Sequence, residues 1–400
     1  MSTASDAVRV EEAAHRVVAE HDPRRVAPPE FLGACFDAGL AWVHFPEGLG
    51  GLGVGRGLQA TADAVLQTAG GPVPFWLNPI GYGMAAPTLS AHAPSPEQAR
   101  RWLRPLATAE DIWCQLFSEP GAGSDLAGLA TSAVRDGDGW VVNGQKVWTS
   151  LAHRARWGLL LARTDPDQPK HRGLTYFVLD MTASGVETRP LRQLTGQAEF
   201  NEVYLNDVRI PDGHRLGAVG DGWRVAMTTL MNERSAIGAG SPERGSGAIG
   251  DAVSLWAARP HRRTPVLRDR LAALWTRSEA HRLTEARARR AAVSSAGGSP
   301  GPEGSESKLV SAELNQDVYE FCMDLLGPES TLYGSYELVT EGRDSDWRGP
   351  VQQRFLRSRA NTIEGGTSEV LRNVLGERVL GLPGDLRADS GKPWKEVPRG

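Results

Sequence analysis

The hydrophobic pattern changes its period in the middle of the chain, and this change constrains the fold more than any other feature. Between residues 111 and about 215, short runs of β-branched and aromatic residues alternate with Gly, Asn and Asp turn signals. The segments before and after this region carry their apolar residues at a helical spacing instead. Helices, then strands, then helices predict an α+β fold with a small central β-barrel or β-sandwich.

Four segments follow from this pattern. We expect an N-terminal helical domain over 1–110, a β domain over 111–220, a C-terminal helical bundle over 221–385 and a surface tail over 386–400. The strand candidates of the β domain are 131–135, 140–142, 145–149, 157–163, 174–180 and 202–210. Asn143-Gly144 lies between the second and third candidates and predicts a tight hairpin, because both residues tolerate positive φ.

Composition excludes several classes of protein. The 400 residues include 48 acidic and 44 basic side chains, a net charge of −4, which argues against a nucleic-acid binder. No apolar run approaches the roughly 20 residues of a membrane span, and the N-terminus lacks the basic and apolar regions of a secretory signal. Cys35, Cys114 and Cys322 show no CxxC or zinc-ligand spacing, so we expect no metal site. A soluble, cytoplasmic protein is the resulting expectation.

The segment 48–53, Gly-Leu-Gly-Gly-Leu-Gly, matches the dinucleotide-binding pattern G-x-G-x-x-G. That pattern binds a dinucleotide only after a strand, before a helix and about 20 residues ahead of an acidic residue. Here Pro46 precedes the segment, further glycines follow it, and residues 70–75 read GGPVPF. We therefore predict a glycine-rich loop.

Two stretches in the predicted β domain are more specific. Residues 115–125 read Gln-Leu-Phe-Ser-Glu-Pro-Gly-Ala-Gly-Ser-Asp, and residues 143–150 read Asn-Gly-Gln-Lys-Val-Trp-Thr-Ser. They resemble the flavin-binding β domain of the acyl-CoA dehydrogenases, whose signature is Ser/Thr-Glu-Pro-x-Ala-Gly-Ser-Asp. The resemblance continues through 200–211, 220–223 and 363–383, in the same α–β–α order. It implies FAD as cofactor, an acyl-CoA substrate, an electron-transfer flavoprotein as partner, and a homodimer or homotetramer.

The resemblance also assigns roles to individual residues. A flavin needs hydrogen bonds to its pyrimidine edge and N5 and a flat apolar wall behind the ring. The residues that the resemblance places at the cofactor are Gln115, Phe117, Ser118, Trp148, Ser150, Thr367 and Glu369. Those that it places at the substrate are Ser124, Arg234 and Gly366. For Trp148, ordinary hairpin packing is the alternative interpretation.

Glu233 is the leading candidate for the catalytic base. Ala226, Leu230, Glu233 and Ile237 share one face of a predicted helix, so this carboxylate lies on an apolar stripe, where an uncompensated charge is costly. A buried carboxyl is a better general base near neutral pH, because burial raises its pKa. A salt bridge between helices is the alternative role for Glu233.

The segment 363–369, Ile-Glu-Gly-Gly-Thr-Ser-Glu, departs from the family pattern. The family usually carries its base in a Tyr-Glu-Gly-Thr stretch; aligned on Gly-Thr-Ser, Gly365 occupies the base position and Glu364 precedes it. The isovaleryl-type and long-chain branches take the base from the position of Glu233 and read Glu-Arg there, as this chain does. We therefore predict Glu233 as base, with Glu364 as the alternative base or a wall of the acyl cavity. The Gly365 N–H is expected to contact the thioester oxygen.

Two sequence motifs that family members use to bind FAD are also altered. Relatives carry Arg-x-x-Phe-Gly and Gln-x-x-Gly-Gly, where this chain reads Arg259-Pro-His-Arg262-Arg263 and, at 324–328, Asp-Leu-Leu-Gly-Pro. Arg259 or Arg262 either contacts the pyrophosphate or is a helix-end charge.

The leading function is FAD-dependent formation of a trans-2-enoyl-CoA by hydride transfer to flavin N5. The alternatives are a flavin-poor partner subunit of a heteromeric dehydrogenase and a flavin monooxygenase.

Overall fold

The computed structural model describes residues 3–237, 243–294, 303–335, 337, 349–384 and 389–397. Their contacts form two compact units, one of residues 3–189, 200–232 and 389–397, the other of residues 190–199 and 233–384. Helices precede and follow a central β region, so the predicted α+β class is confirmed. None of the helices in these ranges is both long and apolar enough to cross a membrane.

The first unit begins with a helical region. Its helices are α1 (Thr3–Glu20), α2 (Pro28–Asp37), α3 (Gln59–Thr68), α4 (Pro74–Leu77), α5 (Ala86–His92) and α6 (Pro96–Ala107). Helix α6 begins after Ser95, whose Oγ accepts a hydrogen bond from the N–H of Gln98 at 3.2 Å. This cap satisfies one of the free N–H groups at the start of the helix. Trp102 and Leu106, one turn apart, point into the core.

One eight-stranded sheet forms the rest of the first unit. The strands are β1 (Trp113–Leu116), β2 (Ser132–Asp136), β3 (Gly139–Ser150), β4 (Trp157–Arg163), β5 (Leu174–Asp180), β6 (Val186–Pro190), β7 (Phe200–Pro211) and β8 (Arg215–Leu216). Their order is β6-β7-β3-β2-β4-β5-β8, with β1 pairing in parallel with β4. Leu159 and Leu161 face a core shared with the helices, whereas Leu160 faces a second core within the sheet. Burial on both faces explains the continuous apolar sequence of β4.

The hairpin predicted at Asn143-Gly144 is wrong, because β3 continues through both residues. The chain turns earlier, at 137–138 between β2 and β3, where Gly137 has a φ of +60°. Asn143 does not form a turn but binds the neighbouring strand β7 with its side chain. Its Nδ2 donates to Asp207 Oδ1 at 3.0 Å, and its Oδ1 accepts from the Asp207 N–H at 2.9 Å.

Gly144 is required for space rather than for a turn. A Cβ at this position would lie 2.3 Å from Thr131 Oγ1 and 2.8 Å from the Thr131 Cα. The strand register between β3 and β7 also shifts between Val142 and Gly144. A glycine inside a strand commonly marks such a bulge or a close backbone approach.

The second unit is helical. Helix α7 (Gly222–Ile237) belongs to the first unit as far as Asn232. The helices that lie wholly in the second unit are α8 (Ala248–Ala258), α9 (Pro265–Ser294), α10 (Glu303–Leu326), α11 (Val351–Ser358) and α12 (Ser368–Arg378). Ile249 of α8, Leu274 of α9 and Phe321 of α10 form its buried core. Phe355 of α11 packs against this core.

The loop predicted for 48–53 is confirmed. Gly48, Gly50 and Gly53 have φ values of +82°, +84° and +66°, which a glycine adopts without steric cost. The loop folds back on the preceding segment, since the Trp42 N–H donates to the Gly50 carbonyl at 3.0 Å. Positive φ accounts for all three glycines, and a Cβ at Gly50 would in addition lie 2.7 Å from the Phe36 ring.

Gly51→Ala tests this packing. The new Cβ would lie 2.1 Å from the Phe45 carbonyl oxygen and 2.6 Å from that of Trp42. Because backbone atoms cannot rotate away, we expect the free energy of unfolding in urea to fall by about 2–3 kcal/mol. Gly57→Ala is the control, since nothing lies within 4 Å of its Cβ position. Equal stability of the two variants would contradict the packing.

Candidate functional site

A buried ion pair holds the 118–131 loop, which follows strand β1. Lys146 Nζ lies 2.8 Å from Glu119 Oε1, and the Lys146 side chain is fully buried while that of Glu119 is 8% exposed. Lys146 also donates to the carbonyls of Phe117 at 3.0 Å and Leu161 at 2.9 Å. The three ammonium protons are thus used within the protein, which a buried charge requires.

The Glu119 carboxylate closes the loop on itself. It accepts hydrogen bonds from the N–H groups of Ala130 at 2.7 Å and Thr131 at 2.9 Å. Burial alone would raise the pKa of Glu119, but the charge of Lys146 and these hydrogen bonds outweigh it and lower the pKa below its usual value. Glu119 is therefore a structural carboxylate, ionised at neutral pH.

Arg163, at the end of β4, holds the middle of the same loop. Its guanidinium donates to the carbonyls of Ala127 at 2.6 Å and Leu129 at 3.1 Å, and the residue is only 3% exposed. Lys146 of β3 and Arg163 of β4 thus fix the loop from two different strands of the sheet. The loop conformation is set by buried cations rather than by regular strand pairing.

Trp148 presents an exposed aromatic surface beside this loop. The preceding residue, Val147, donates its N–H to the Ser118 carbonyl at 2.9 Å. Trp148 has a φ of +60° and is 55% exposed, and it touches Phe200 edge-on at 5.9 Å between ring centroids. Positive φ at a bulky residue is strained, and such strain often marks a functional site. The predicted contact of the Trp148 ring with the cofactor stays a prediction.

The structure brings several predicted cofactor residues together in the first unit. Phe117 is buried and packs edge-to-face on Tyr176 at 5.7 Å, and Gln115 and Ser118 are half-buried on either side of it. Ser150 is half-buried at the end of β3, two residues after Trp148. An apolar wall with hydroxyl and amide groups at its margin fits the needs of a flavin ring. Ser124, the predicted substrate contact, is exposed on the loop.

Glu364, in the second unit, is held in an ion pair. Its two carboxylate oxygens accept from Arg357 Nη1 and Nη2 at 3.1 and 2.8 Å, and Asn361 Nδ2 donates to Oε1 at 2.8 Å. A bidentate guanidinium contact is among the stronger hydrogen-bonded pairs in proteins. Glu364 thus organises the turn before Gly365, and these contacts disfavour it as a free base.

The remaining predicted residues of this segment surround two glycines. Gly365 and Gly366 have φ values of +63° and +98°, and Lys308 Nζ donates to the Gly366 carbonyl at 2.6 Å. Thr367 caps helix α12, because its Oγ1 accepts from the Val370 N–H at 3.2 Å. Glu369 is exposed in the first turn of that helix. The cofactor roles of Thr367 and Glu369 stay predictions.

The two arginines considered for pyrophosphate binding have partners of their own. Arg259 pairs with Glu329 at 2.6 Å, and Arg262 Nη2 donates to the Leu326 carbonyl at 3.0 Å near the end of α10. These contacts favour the helix-end interpretation.

Glu233 and Arg234 lie in the last turns of α7, and their side chains are outside the described residues. Their roles as base and substrate contact therefore stay predictions.

Comparison with known proteins identifies the family. Models described as acyl-CoA dehydrogenase N-terminal, middle and C-terminal domains match residues 4–110, 114–208 and 220–380. The chain therefore belongs to the acyl-CoA dehydrogenase family. FAD is the cofactor of this family, so the predictions of family, enzyme class and cofactor are confirmed.

Individual relatives extend this result. The chain is 42% identical to acyl-CoA dehydrogenase FadE34 of Mycobacterium tuberculosis, over 88% of this chain and 46% of that protein, about half its length. It is 40% identical to acyl-CoA dehydrogenase IpdE1 of the same organism, over 88% of this chain and 86% of that protein. It also resembles the solved Tcur3481-Tcur3483 steroid ACAD, with a TM-score of 0.71, 26% identity and coverage of 96% and 99%. It is similar as well to the solved ChsE4-ChsE5 complex of Mycobacterium tuberculosis, with a TM-score of 0.69 and 27% identity; the match covers 96% of this chain and 99% of that chain.

Sequence reasoning missed the two buried cations. Lys146 and Glu119 both stand in the motif stretches, but only the three-dimensional register shows that they meet. A lysine flanked by Val147 in a strand that otherwise buries alternate residues was an available signal. Arg163 at the end of an otherwise apolar strand was another.

Lys146→Met should strongly destabilise the fold. The variant keeps an unbranched side chain, one heavy atom shorter, but leaves Glu119 buried without its cation, so we expect the free energy of unfolding in urea to fall by about 3–5 kcal/mol. Arg209→Ala is the matched control, because its ion pair with Asp136 is exposed and should contribute less than about 1 kcal/mol. A loss no larger in Lys146→Met than in this control would show that the buried pair is not stabilising.

The lowered pKa of Glu119 also predicts a pH dependence. Its folded-state pKa lies below the unfolded value of about 4.3, so its ionisation stabilises the fold fully above that pH. This stability is lost as the pH falls through the folded pKa. In urea denaturation at stepped pH, Glu119→Gln should therefore lose less stability on acidification below about pH 5 than the wild type. Equal pH slopes would contradict the assignment.

Proposed function

We propose that this chain catalyses FAD-dependent α,β-dehydrogenation of an acyl-CoA thioester, with Glu233 as base. The observation that carries the proposal is the 118–131 loop, bound to Lys146 beside the exposed, strained Trp148. Membership of the acyl-CoA dehydrogenase family supports the reaction class. The proposed product is the trans-2-enoyl-CoA.

The residues of this chain have distinct proposed tasks. Gln115, Phe117, Ser118, Trp148 and Ser150 would hold the flavin, which when bound supplies a two-electron acceptor for hydride. Glu233 would remove the α-proton of the thioester. The Gly365 N–H would donate to the thioester oxygen, where negative charge develops as the proton leaves.

The choice of Glu233 over Glu364 rests on contacts. Three N–H groups already hold the Glu364 carboxylate, and proton abstraction would compete with the Arg357 pair. A general base must instead be free to approach the proton that it removes. Gly365 has no side chain at the usual base position, which leaves the role to another element.

The proposed substrate is a bulky lipid acyl-CoA, with an electron-transfer flavoprotein as electron acceptor in the cytoplasm. A similar solved protein is named a steroid ACAD, and the replacement of a base side chain by Gly365 leaves more room near the thioester. Ala236, Gly238 and Gly240 are small residues close to Glu233 in the sequence, and they lie outside the part of the chain whose side chains the structure describes.

A second candidate function is a subunit that completes its site with a related chain. Two similar structures carry paired names, Tcur3481-Tcur3483 and ChsE4-ChsE5. The altered Arg-x-x-Phe-Gly segment, whose Arg259 and Arg262 contact this chain's own residues, also favours it. A purified chain that binds FAD tightly by itself would exclude this candidate.

Glu233→Gln tests the proposed base. We expect the variant to retain FAD, seen in its visible spectrum, and to lose anaerobic reduction by acyl-CoA by a factor of about 10²–10⁴. Glu364→Gln is the matched control; because its carboxylate organises a turn, it should change the reduction rate less than about tenfold. Reduction by Glu233→Gln at the wild-type rate, or a larger loss in Glu364→Gln, would reverse the assignment.

A further inference from the structure

The segment 389–397 packs on the β domain close to the 118–131 loop. Its backbone is anchored on the turn before β5: the Trp394 N–H donates to the Gln168 carbonyl at 2.9 Å, and the Lys395 N–H to the Pro166 carbonyl at 3.1 Å. A β-bridge also joins Pro393 to Pro169. These contacts involve main-chain atoms, so replacing a side chain of the segment removes none of their donors or acceptors.

The Trp394 side chain reaches the loop itself. Its Nε1 donates to the Gly128 carbonyl at 3.1 Å, and only 9% of the residue is exposed. The Arg163 guanidinium lies 4.3 Å from the Trp394 ring centroid. Arg163 binds the carbonyls of Ala127 and Leu129. Arg163 and Trp394 together therefore donate to three consecutive carbonyls of the loop, at 127, 128 and 129. The indole also covers the buried cation, a favourable cation–π contact.

Asp389 makes a second connection to the loop through Lys170. Lys170 Nζ lies 2.8 Å from Asp125 Oδ1 and 2.5 Å from Asp389 Oδ2. Asp125 is the last residue of the signature stretch, directly after Ser124. The segment therefore holds the loop at two points, Asp125 and Gly128.

The segment also shapes a cavity against the loop. Trp394 and Val397 line a cavity of about 470 Å³ together with residues 120–122 and Gln145. Removal of Trp394 would enlarge this space beneath the loop, and an enlarged cavity lets the surrounding backbone relax.

We propose that residues 389–397 act as a strap that holds the 118–131 loop in its binding conformation, and that Trp394 and Asp389 are positioning residues for the flavin and substrate contacts of that loop. This inference rests on the proposed function for the role of Ser118 and Ser124. The contacts that define the strap, from its main chain and from Trp394 and Asp389, do not depend on that function.

Hydrogen exchange of the flavin-free protein tests the strap without any activity measurement. In Trp394→Ala, we expect the amides of 118–131 to exchange about tenfold faster, because the loop loses a hydrogen bond and its aromatic support. Amides of the buried strand β5 should keep their wild-type rates. Trp394→Phe retains the ring under Arg163 and should give an intermediate increase.

Two further variants complete the design. Asp389→Ala removes the Lys170 contact at the surface and should also speed exchange near Asp125. Lys395→Ala is the matched control, because Lys395 pairs with Asp167 and not with the loop. It should leave loop exchange, FAD affinity and the KM for acyl-CoA unchanged. If Trp394→Ala does not fold, Trp394→Phe and Asp389→Ala carry the test.

Ligand binding then decides the positioning role. We expect Trp394→Ala to weaken FAD affinity and raise the KM for acyl-CoA about tenfold, with kcat at saturating FAD nearly unchanged. Wild-type loop exchange in both Trp394→Ala and Asp389→Ala would overturn the strap. Faster exchange with unchanged FAD affinity and KM would overturn the positioning role. Reduction of the wild type by acyl-CoA tests the proposed function separately.

Discussion

The ion pair between Glu119 and Lys146 is the interaction on which the rest of the site depends. Two charges are buried at a cost that only close geometry and full hydrogen bonding can offset. Lys146 uses its three protons on Glu119, Phe117 and Leu161, and Glu119 also binds the N–H groups at 130 and 131. Buried hydrogen bonds thereby fix the conformation of an irregular loop, and precise ligand contacts require such support.

This arrangement separates structural from chemical roles within one motif. Glu119 is the glutamate of the signature stretch, yet its contacts make it a support for Phe117 and Ser118 rather than a base. In the second unit, Glu364 is likewise held, by Arg357 and Asn361. The contacts of Glu119 and Glu364 thus make both carboxylates structural, which agrees with the proposal that Glu233 removes the proton. Gly365 at the usual base position and the proposed base Glu233 on α7 would together form one departure from the common family pattern.

Much of the fold could be predicted from the sequence, because local patterns determine it. Strands β4 and β5 are short apolar runs, and turn residues separate them. The hairpin at Asn143-Gly144 failed for a tertiary reason: Asn143 pairs with Asp207, and Gly144 makes room for Thr131. Gly144 and Thr131 are 13 positions apart, and no local pattern shows that they touch.

The site could be predicted only where a motif carries it. Family resemblance predicts cofactor contacts for Gln115, Phe117, Ser118, Trp148 and Ser150, and the hydrogen bond from the Val147 N–H to the Ser118 carbonyl joins the two stretches that carry these residues. The partners of that loop are distant in sequence: Arg163 and Trp394 meet it from a strand end and from a polar segment beyond residue 385. Such contacts follow from packing, which a periodicity argument does not reach.

The most direct test of the account is the visible spectrum of the purified wild-type chain during anaerobic addition of acyl-CoA thioesters of increasing bulk. The account predicts an oxidised-flavin spectrum that bleaches with a bulky lipid thioester, with one enoyl-CoA formed per flavin reduced. A protein that binds FAD but is not bleached by any thioester, alone or with a related chain, would contradict it.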